Sequence, residues 1–334
     1  MKAMILAAGL GTRLRPLTLE RAKPAIPILG KPLVIRLIER LAEEGVKAFR
    51  LNLHHLPDTI RSIFESGIRE PFPSRNLTAS FSFEPEILGT AGGLKANESF
   101  FDDELFVMAN GDIIVDFPLT EAIAFHRQRN ALATLLLYPQ SRPYRHLPVR
   151  IDEEGRLHNF KGAPASHGKV RPEAYVFTGV HLLSPEIFDF IPPACFSEIN
   201  DEVYPAAIRS GKAVFGFPVE GYWNDLGNPV RYLEAQKDLL MRSSLSPPAW
   251  ISNLAEIEET ARVGPFVSIG AGCRLERSSL VENAVLWEDV TINSRGLVRD
   301  SILGAGVTVP GECCGQIITR SGEVPIVSER TRSA

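Results

Sequence analysis

The residues best suited to chemistry stand near the start of the chain. Gly9-Leu-Gly11-Thr12-Arg13 follows directly on the apolar run Met4-Ile-Leu-Ala-Ala8, so a buried strand runs straight into a turn that lacks side-chain bulk. Backbone amides freed in this way can wrap a polyphosphate, and Arg13 adds a planar, permanently charged fork for phosphate oxygens. The string is not the dinucleotide fingerprint, because no glycine stands three residues after Gly11, and it is not a P-loop, because no Gly-Lys-Ser/Thr follows. Taken alone, an ordinary strand-to-helix turn accounts for it equally well. Further along, Asp112 closes an apolar run through Asn110-Gly111, and Asp225 lies in Tyr222-Trp-Asn-Asp-Leu-Gly227, a glycine-flanked turn after an aromatic pair. Two such carboxylates suit a hard cation such as Mg2+, which takes oxygen ligands and shares them with substrate phosphates. Read without company, Asp112 caps the next element and Asp225 makes an Asx-turn. His54-His55 is no metal pair, since adjacent residues on a strand point to opposite faces.

These residues need a scaffold, and the hydrophobic pattern supplies one. Residues 4–8 form a continuous apolar run, the mark of a strand buried on both faces. Residues 31–45 read as a helix, with Leu33, Leu37, Ile38 and Leu41 at three- and four-residue spacing, Pro32 in the first turn and Gly45 at the stop. The alternation continues with strand 48–53, helix 57–66, strands 77–83 and 105–109, helix 119–129 and strand 133–138. Interleaved strands and helices imply βαβ units, and ligands of such sheets bind beyond the carboxyl ends of the strands. Both Gly9-Leu-Gly11 and Asp112 fall there.

Residues 241–250, Met-Arg-Ser-Ser-Leu-Ser-Pro-Pro-Ala-Trp, form a polar, proline-bearing linker. Beyond it a six-residue period sets in. Ile257, Val263, Ile269, Leu275, Val281 and Trp287 share one phase; Ala261, Val267, Cys273, Ser279, Val285, Thr291, Leu297, Leu303 and Val309 share another. Hexapeptide repetition of this kind marks a parallel β-helix, against the alternative of unrelated sandwich strands. The first phase breaks at Asn293 and Arg299, which predicts irregular final coils. The expected architecture is α/β: a Rossmann-like mixed, mostly parallel sheet flanked by helices over residues 1–240, the linker over 241–250, and a small left-handed parallel β-helix over 251–325.

Bulk properties narrow the function. A chain of 334 residues, 44% hydrophobic and 23% charged, has room for two cores. A net charge of -4 speaks against a general nucleic-acid binder. Cys195, Cys273, Cys313 and Cys314 make neither a zinc pattern nor a disulfide framework, which fits a reducing cytoplasm. The short N-terminal apolar run lacks the core and cleavage site of a signal peptide, and no apolar stretch reaches the length of a membrane span.

The string Gly9-x-Gly11-Thr12-Arg13-Leu14-x-Pro16-Leu17-Thr18-x-x-x-x-Lys23-Pro24 resembles the signature of the sugar-1-phosphate nucleotidyltransferases, also called nucleotide-sugar pyrophosphorylases. The resemblance extends through Leu88-Gly-Thr-Ala-Gly-Gly93, Asn110-Gly-Asp112, Phe177-Thr-Gly-Val-His181 and Tyr222-Trp-Asn-Asp-Leu-Gly227 into the hexapeptide tail, and so covers most of the chain. It implies transfer of a nucleoside monophosphate from a nucleoside triphosphate to a sugar 1-phosphate, with release of pyrophosphate. Two polyanions must meet, so catalysis is mainly positioning and electrostatic stabilisation. By this resemblance Arg13 neutralises the β- and γ-phosphates, Lys23 reaches the transferred group, and Asp112 and Asp225 hold Mg2+. Ala8, Gly9, Gly11 and Thr12 complete the triphosphate loop. Gly89, Thr90, Ala91 and Gly92 bring backbone close to the base, with Glu84 at the border of the same pocket. Lys161, Thr178, Gly179 and Asn224 are the sugar-phosphate candidates. Many relatives carry Glu-Lys-Pro where this chain reads Asn159-Phe-Lys161-Gly, which leaves the sugar open.

The 88–93 string and the tail look most like the mannose-1-phosphate guanylyltransferase branch, so GTP and mannose 1-phosphate are the expected substrates. Leu53-His-His and Gly221-Tyr-Trp-Asn-Asp also resemble uridylyl- and thymidylyltransferases acting on glucose 1-phosphate or a related sugar. Two other functions compete. An acyltransferase on the β-helix would need a general base, yet all seven histidines (His54, His55, His126, His146, His158, His167 and His181) precede the linker. A structural role and a homo-oligomeric contact are therefore expected of the tail. A non-catalytic subunit that binds sugar nucleotides could lose any of Arg13, Lys23, Asp112 and Asp225, and here all four are present.

Overall fold

The computed structural model describes residues 1–65, 77–102, 104–140, 148–158, 160–161 and 168–326. His146, Asn159 and His167, together with Ser66 at the end of the helix expected over 57–66, lie outside the described residues. The chain falls into two compact units, one of Met1–Gly9 with Val34–Asn224 and the other of Leu10–Leu33 with Asp225–Ala334.

The first unit is built on a seven-stranded sheet. In chain order its elements are β1 (Lys2–Leu6), α1 (Leu33–Glu43), β2 (Ala48–Leu53), α2 (Pro57–Glu65), β3 (Thr78–Phe83), α3 (Gly89–Lys95), β4 (Phe106–Asn110), β5 (Ile113–Asp116), α4 (Thr120–Gln128), β6 (Ala133–Pro139), β7 (Tyr175–Leu183), α5 (Tyr204–Arg209), β8 (Val214–Pro218) and β9 (Tyr222–Asp225). The sheet order is β8-β6-β7-β4-β1-β2-β3, and β9 pairs with β5 in a small ribbon. All sheet neighbours run parallel except β7, which is antiparallel to both β4 and β6. Met4, Phe106, Met108, Leu135 and Leu137 fill the core beneath it.

The predicted elements hold with shifted ends. β1 stops at Leu6 rather than at residue 8, because the N–H of Ala7 donates to the Asn52 side-chain oxygen (2.8 Å) instead of the ladder. The helix expected from residue 31 starts at Leu33, since Lys31–Pro32 pairs with Pro27–Ile28 as a two-stranded ribbon. Gly45 ends this segment with φ +87°, a conformation that favours glycine.

In the second unit, a helix α6 (Pro229–Arg242) precedes a prism of three parallel strand stacks. Asn228 caps the helix by accepting from the Arg231 N–H (2.9 Å), with Pro229 in the first turn. Strand partners are Ala249 and Val267, Ser268 and Val285, Val285 and Ile302, then Ile302 and Ile317, so successive coils take 18, 17, 17 and 15 residues. This corrects the strict six-residue phase. A coil one residue short moves the inward position back by one, so Ile269 stacks on Leu286 and Leu303, not on Trp287. Ile292 and Val298 fill the interior beside Asn293 and Arg299, and the expected irregularity of the final coils lies in the 15-residue last coil and the antiparallel pair of Gln316–Thr319 with Gly322–Pro325. Trp287 lies outside the coil core, its indole N–H donating to the Tyr232 hydroxyl (3.1 Å).

Candidate functional site

In the first unit, β1 and β4 are adjacent and parallel, so their carboxyl ends bring Ala7–Ala8–Gly9 beside Asn110–Gly111–Asp112; the Gly111 N–H donates to the Leu6 carbonyl (2.9 Å). Gly9 is exposed, and a Cβ placed there would meet nothing within 4 Å. Its backbone therefore faces open space. Asp112 is half-buried in the turn between β4 and β5.

A hydrogen-bonded chain fixes this edge. Buried Asn52 accepts from the Ala7 N–H and donates to Glu84 Oε1 (2.7 Å), while Glu84 Oε2 accepts from the Leu88 N–H (3.0 Å). Glu84 is 2% exposed and both of its carboxylate oxygens are engaged internally. It orients the turns after β1 and before α3. Asn52 carried no motif; its signal was a polar residue inside the apolar run of Leu51-Asn-Leu53.

The segment 89–95 is a helix, α3, and its glycines serve packing against the chain itself. Gly89 has φ +73°, and a Cβ there would lie 2.5 Å from the Ser197 carbonyl oxygen; at Gly92 it would lie 2.4 Å from that of Cys195. The Ala91 N–H donates to the Ser197 carbonyl (2.9 Å), and the Thr90 hydroxyl donates to Glu198 (2.6 Å). The close approach expected toward a base is thus made first toward residues 195–198.

Thr178 and Gly179 form a bulge in β7. The Thr178 hydroxyl donates to the Leu136 carbonyl (2.9 Å), and Gly179, at φ +84°, sits against the Asn110 side chain. Asn224 is 4% exposed, and its Oδ1 has no hydrogen-bond partner among the described residues. An amide acceptor left open in a buried position costs about 1–3 kcal/mol unless a ligand or water pairs with it. Lys161 is half-exposed and paired with Asp201 (2.9 Å).

The second unit holds three of the four expected catalytic side chains, with Arg13 and Asp225 both beside Gly227 and Lys23 beside Gly11. Gly11 adopts φ +62°; a Cβ there would lie 2.8 Å from Thr18 Cγ2 and 3.5 Å from Lys23 Cβ. Its carbonyl accepts from the Leu14 N–H (2.9 Å) and the Thr18 hydroxyl (2.9 Å), which curls the loop into a single 3-10 turn, Thr12–Leu14. Arg13 is exposed, whereas Lys23 is 8% exposed in a turn stiffened by Pro24. A Cβ at Gly227 would lie 2.7 Å from Asp225 Oδ2 and 3.3 Å from Arg13 Nη1. Asp225 Oδ1 accepts from Arg231, the two side chains being 17% and 18% exposed. Arg231 escaped the sequence reading because no motif marks it; its place on the first turn of α6 brings it back onto Asp225. Among the described residues no three His, Cys, Asp or Glu side chains gather as a metal cluster. A cation here would take its other ligands from substrate oxygens, and Arg231 engages Asp225 through Oδ1, while Oδ2 lies on the Gly227 side.

Among the described residues, no helix is long and apolar enough to cross a membrane. Compared with known proteins, residues 2–242 match the nucleotidyl transferase family and residues 245–325 match the GMPPB C-terminal domain. The chain is 31% identical to a UTP--glucose-1-phosphate uridylyltransferase of Synechocystis sp., over 86% of this chain and 83% of that one. It is 30% identical to mannose-1-phosphate guanylyltransferase 1 of Arabidopsis thaliana, over 92% and 87%. Among solved structures, HddC from Yersinia pseudotuberculosis superposes with a TM-score of 0.59 at 25% identity, over 71% of this chain and 99% of that one. A sheet with its glycine turn at the carboxyl end of β1, a tail of stacked coils and these matches over most of the length lead to one assignment: the chain belongs to the nucleotidyl transferase family.

Proposed function

We propose that this chain transfers the guanylyl group of GTP to mannose 1-phosphate. An oxygen of the sugar phosphate attacks the α-phosphorus, a new phosphoanhydride bond forms, the bond between the α-phosphorus and its bridging oxygen breaks, and pyrophosphate leaves with the electron pair. No general base is required, because the nucleophile is already an anion near neutral pH. Arg13 neutralises the β- and γ-phosphates, with the Gly9–Gly11 backbone around them, and Lys23 stabilises the transferred phosphoryl group. Glu84 orients the edge of the base pocket at residues 89–92, and Asn224 offers its open acceptor to a donor on the sugar. Thr178 and Gly179 shape the wall behind it, and Lys161 meets the sugar phosphate after leaving Asp201. Asp112 and Asp225 are the residues to hold Mg2+, which when bound screens the charge between the two polyanions.

The observation that carries this reading is the set of relatives named for mannose 1-phosphate that match 92% of the chain, tail included. The Synechocystis relative supports a second reading, a uridylyltransferase for glucose 1-phosphate. Pyrophosphate release, measured over a panel of triphosphates and sugar 1-phosphates in Mg2+, distinguishes them: GTP with mannose 1-phosphate should be the best pair. Preference for UTP with glucose 1-phosphate would replace the first reading by the second, and no turnover with any pair would overturn both.

We assign residues 1–240 to catalysis and 251–325 to a non-catalytic tail joined by 241–250. The tail holds no histidine to act as an acyltransferase base. Its first coil exposes Ile251, Leu254 and Ile257, which supports a contact between copies of the chain. Four free cysteines support a cytoplasmic setting.

A further inference from the structure

We infer that Trp287 and Glu288, on the third coil of the β-helix, are positioning residues that hold Lys23 and the triphosphate loop in place for the reaction. The inference rests on the role proposed above for residues 9–25. Four ties carry it, all within the second compact unit. Arg21, two residues before Lys23, donates from both terminal nitrogens to the two carboxylate oxygens of Glu288 (3.1 and 2.9 Å), the forked geometry that fixes direction as well as distance. Its guanidinium also lies over the Trp287 ring, 4.7 Å from the centroid. The Trp287 indole N–H donates to the Tyr232 hydroxyl (3.1 Å), and that hydroxyl donates to the Pro27 carbonyl (2.6 Å). Gln236 of α6 closes the set, donating to the Pro27 carbonyl (3.3 Å) and accepting from the Leu29 N–H (3.0 Å).

Lys23 therefore stands between two anchored points, Arg21 on one side and Pro27 to Leu29 on the other. Trp287 is 1% exposed and Tyr232 is fully buried, so the bonds from Trp287 through Tyr232 to Pro27 are shielded from competition by water, while the Arg21–Glu288 pair is partly exposed. Glu20 adds an outer contact, accepting from the Ser321 N–H (2.8 Å). The shortened coil explains how the tail reaches the loop. Because the preceding coil takes 17 residues, Leu286 takes the inward place, and Trp287 and Glu288 are left facing Tyr232 and Arg21. Glu288 is held below the usual carboxylate range: burial would raise it, but the hydrogen bond and charge of Arg21 prevail. The repeat domain, on this account, orders the loop that meets the nucleotide, whatever else it does.

The test uses the full chain with GTP and mannose 1-phosphate, or the best pair from the substrate panel. Glu288→Gln and Trp287→Phe, the second keeping the aromatic face but losing the indole donor, should each raise the nucleotide KM about five- to tenfold. Circular dichroism should be unchanged and the sugar-phosphate KM should stay within about twofold. The charge-exchanged pair Arg21→Glu with Glu288→Arg should recover most of what either single exchange loses. Should a single exchange fail to fold, the two milder variants decide. Unchanged nucleotide KM in both of them, with an active wild type, overturns this inference; equal loss in both KM values does so too. A wild-type chain inactive on every pair overturns the underlying reaction instead.

Discussion

Two glycines of one loop answer to different demands, and alanine at each should separate them. Gly11 is held at φ +62°, and an added methyl would lie 2.8 Å from Thr18 Cγ2. A left-handed conformation costs a non-glycine residue about 1–2 kcal/mol. Thr18 is fully buried and cannot turn aside without giving up its bond to the Gly11 carbonyl, which adds about 1 kcal/mol. Gly11→Ala should therefore lower unfolding stability by roughly 2–3 kcal/mol, read as a shift of the urea midpoint at constant m-value. Gly9 is the opposite case, exposed, free of positive φ and with open space where its Cβ would be. Gly9→Ala should leave stability within about 0.5 kcal/mol, yet lower kcat/KM for the triphosphate by at least about tenfold, since the methyl fills the space that the phosphates approach. Wild-type nucleotide kinetics in Gly9→Ala would refute the backbone cradle at that position. A Gly11→Ala chain as stable as wild type would refute the steric argument itself.

Asp225→Asn should reduce kcat by about a hundredfold or more while the far-ultraviolet spectrum is preserved. Rates near wild type, with an unchanged Mg2+ dependence, would remove this residue from the proposed metal set. Gly92→Ala puts a methyl 2.4 Å from a backbone oxygen that cannot rotate away, and should destabilise by about 2 kcal/mol or more in a denaturant titration. His181 is fully buried with its Nδ1 at 2.6 Å from the Tyr204 hydroxyl, and burial pushes its pKa down to about 3. The unfolded chain binds this proton below about pH 6.5 and the folded chain does not, so stability is full above that pH and lost as it falls toward 3. The slope from this residue is up to about 1.4 kcal/mol per pH unit. Burial lowers His126 to about 4 as well, aided by the Arg127 charge, which adds loss in the same direction. His181→Gln should flatten part of the acid limb between pH 6 and 4; an unaltered limb would contradict the assignment.

The first unit was legible in its alternation of apolar runs and amphipathic stretches, because burial on both faces of a parallel sheet leaves little choice of residue in β1, β2 and β4. The antiparallel β7 was not assigned from pattern. Its nine residues are nearly all buried, so they show neither alternation nor helical spacing, and its bulge at Thr178 and Gly179 breaks what period remains. In the site, the motifs gave residue types but not the work each does. Gly89 and Gly92 stand in the motif because helix α3 packs onto the carbonyls of Ser197 and Cys195. Glu84 stands near it because Asn52 and the Leu88 N–H occupy its two oxygens. Neither demand is local in sequence, so spacing could name these positions without saying what they touch.

The tail shows how a sound pattern can mislead by a single residue. Six-residue periodicity requires an 18-residue coil, and only the first coil has that length. Apolar neighbours on both sides of the slip, Leu286 beside Trp287, let the wrong phase look intact, because either would satisfy a hydrophobic position. Size decides between them. An interior stacked with Ile269, Leu286 and Leu303 accepts an aliphatic side chain at each level, whereas an indole carries an N–H that must find an acceptor when buried. Trp287 finds it in Tyr232, outside the coil. The polar atom on a large buried side chain is thus the better guide to which face it takes, and here it points from a repeat domain with no evident base toward the loop that holds Lys23.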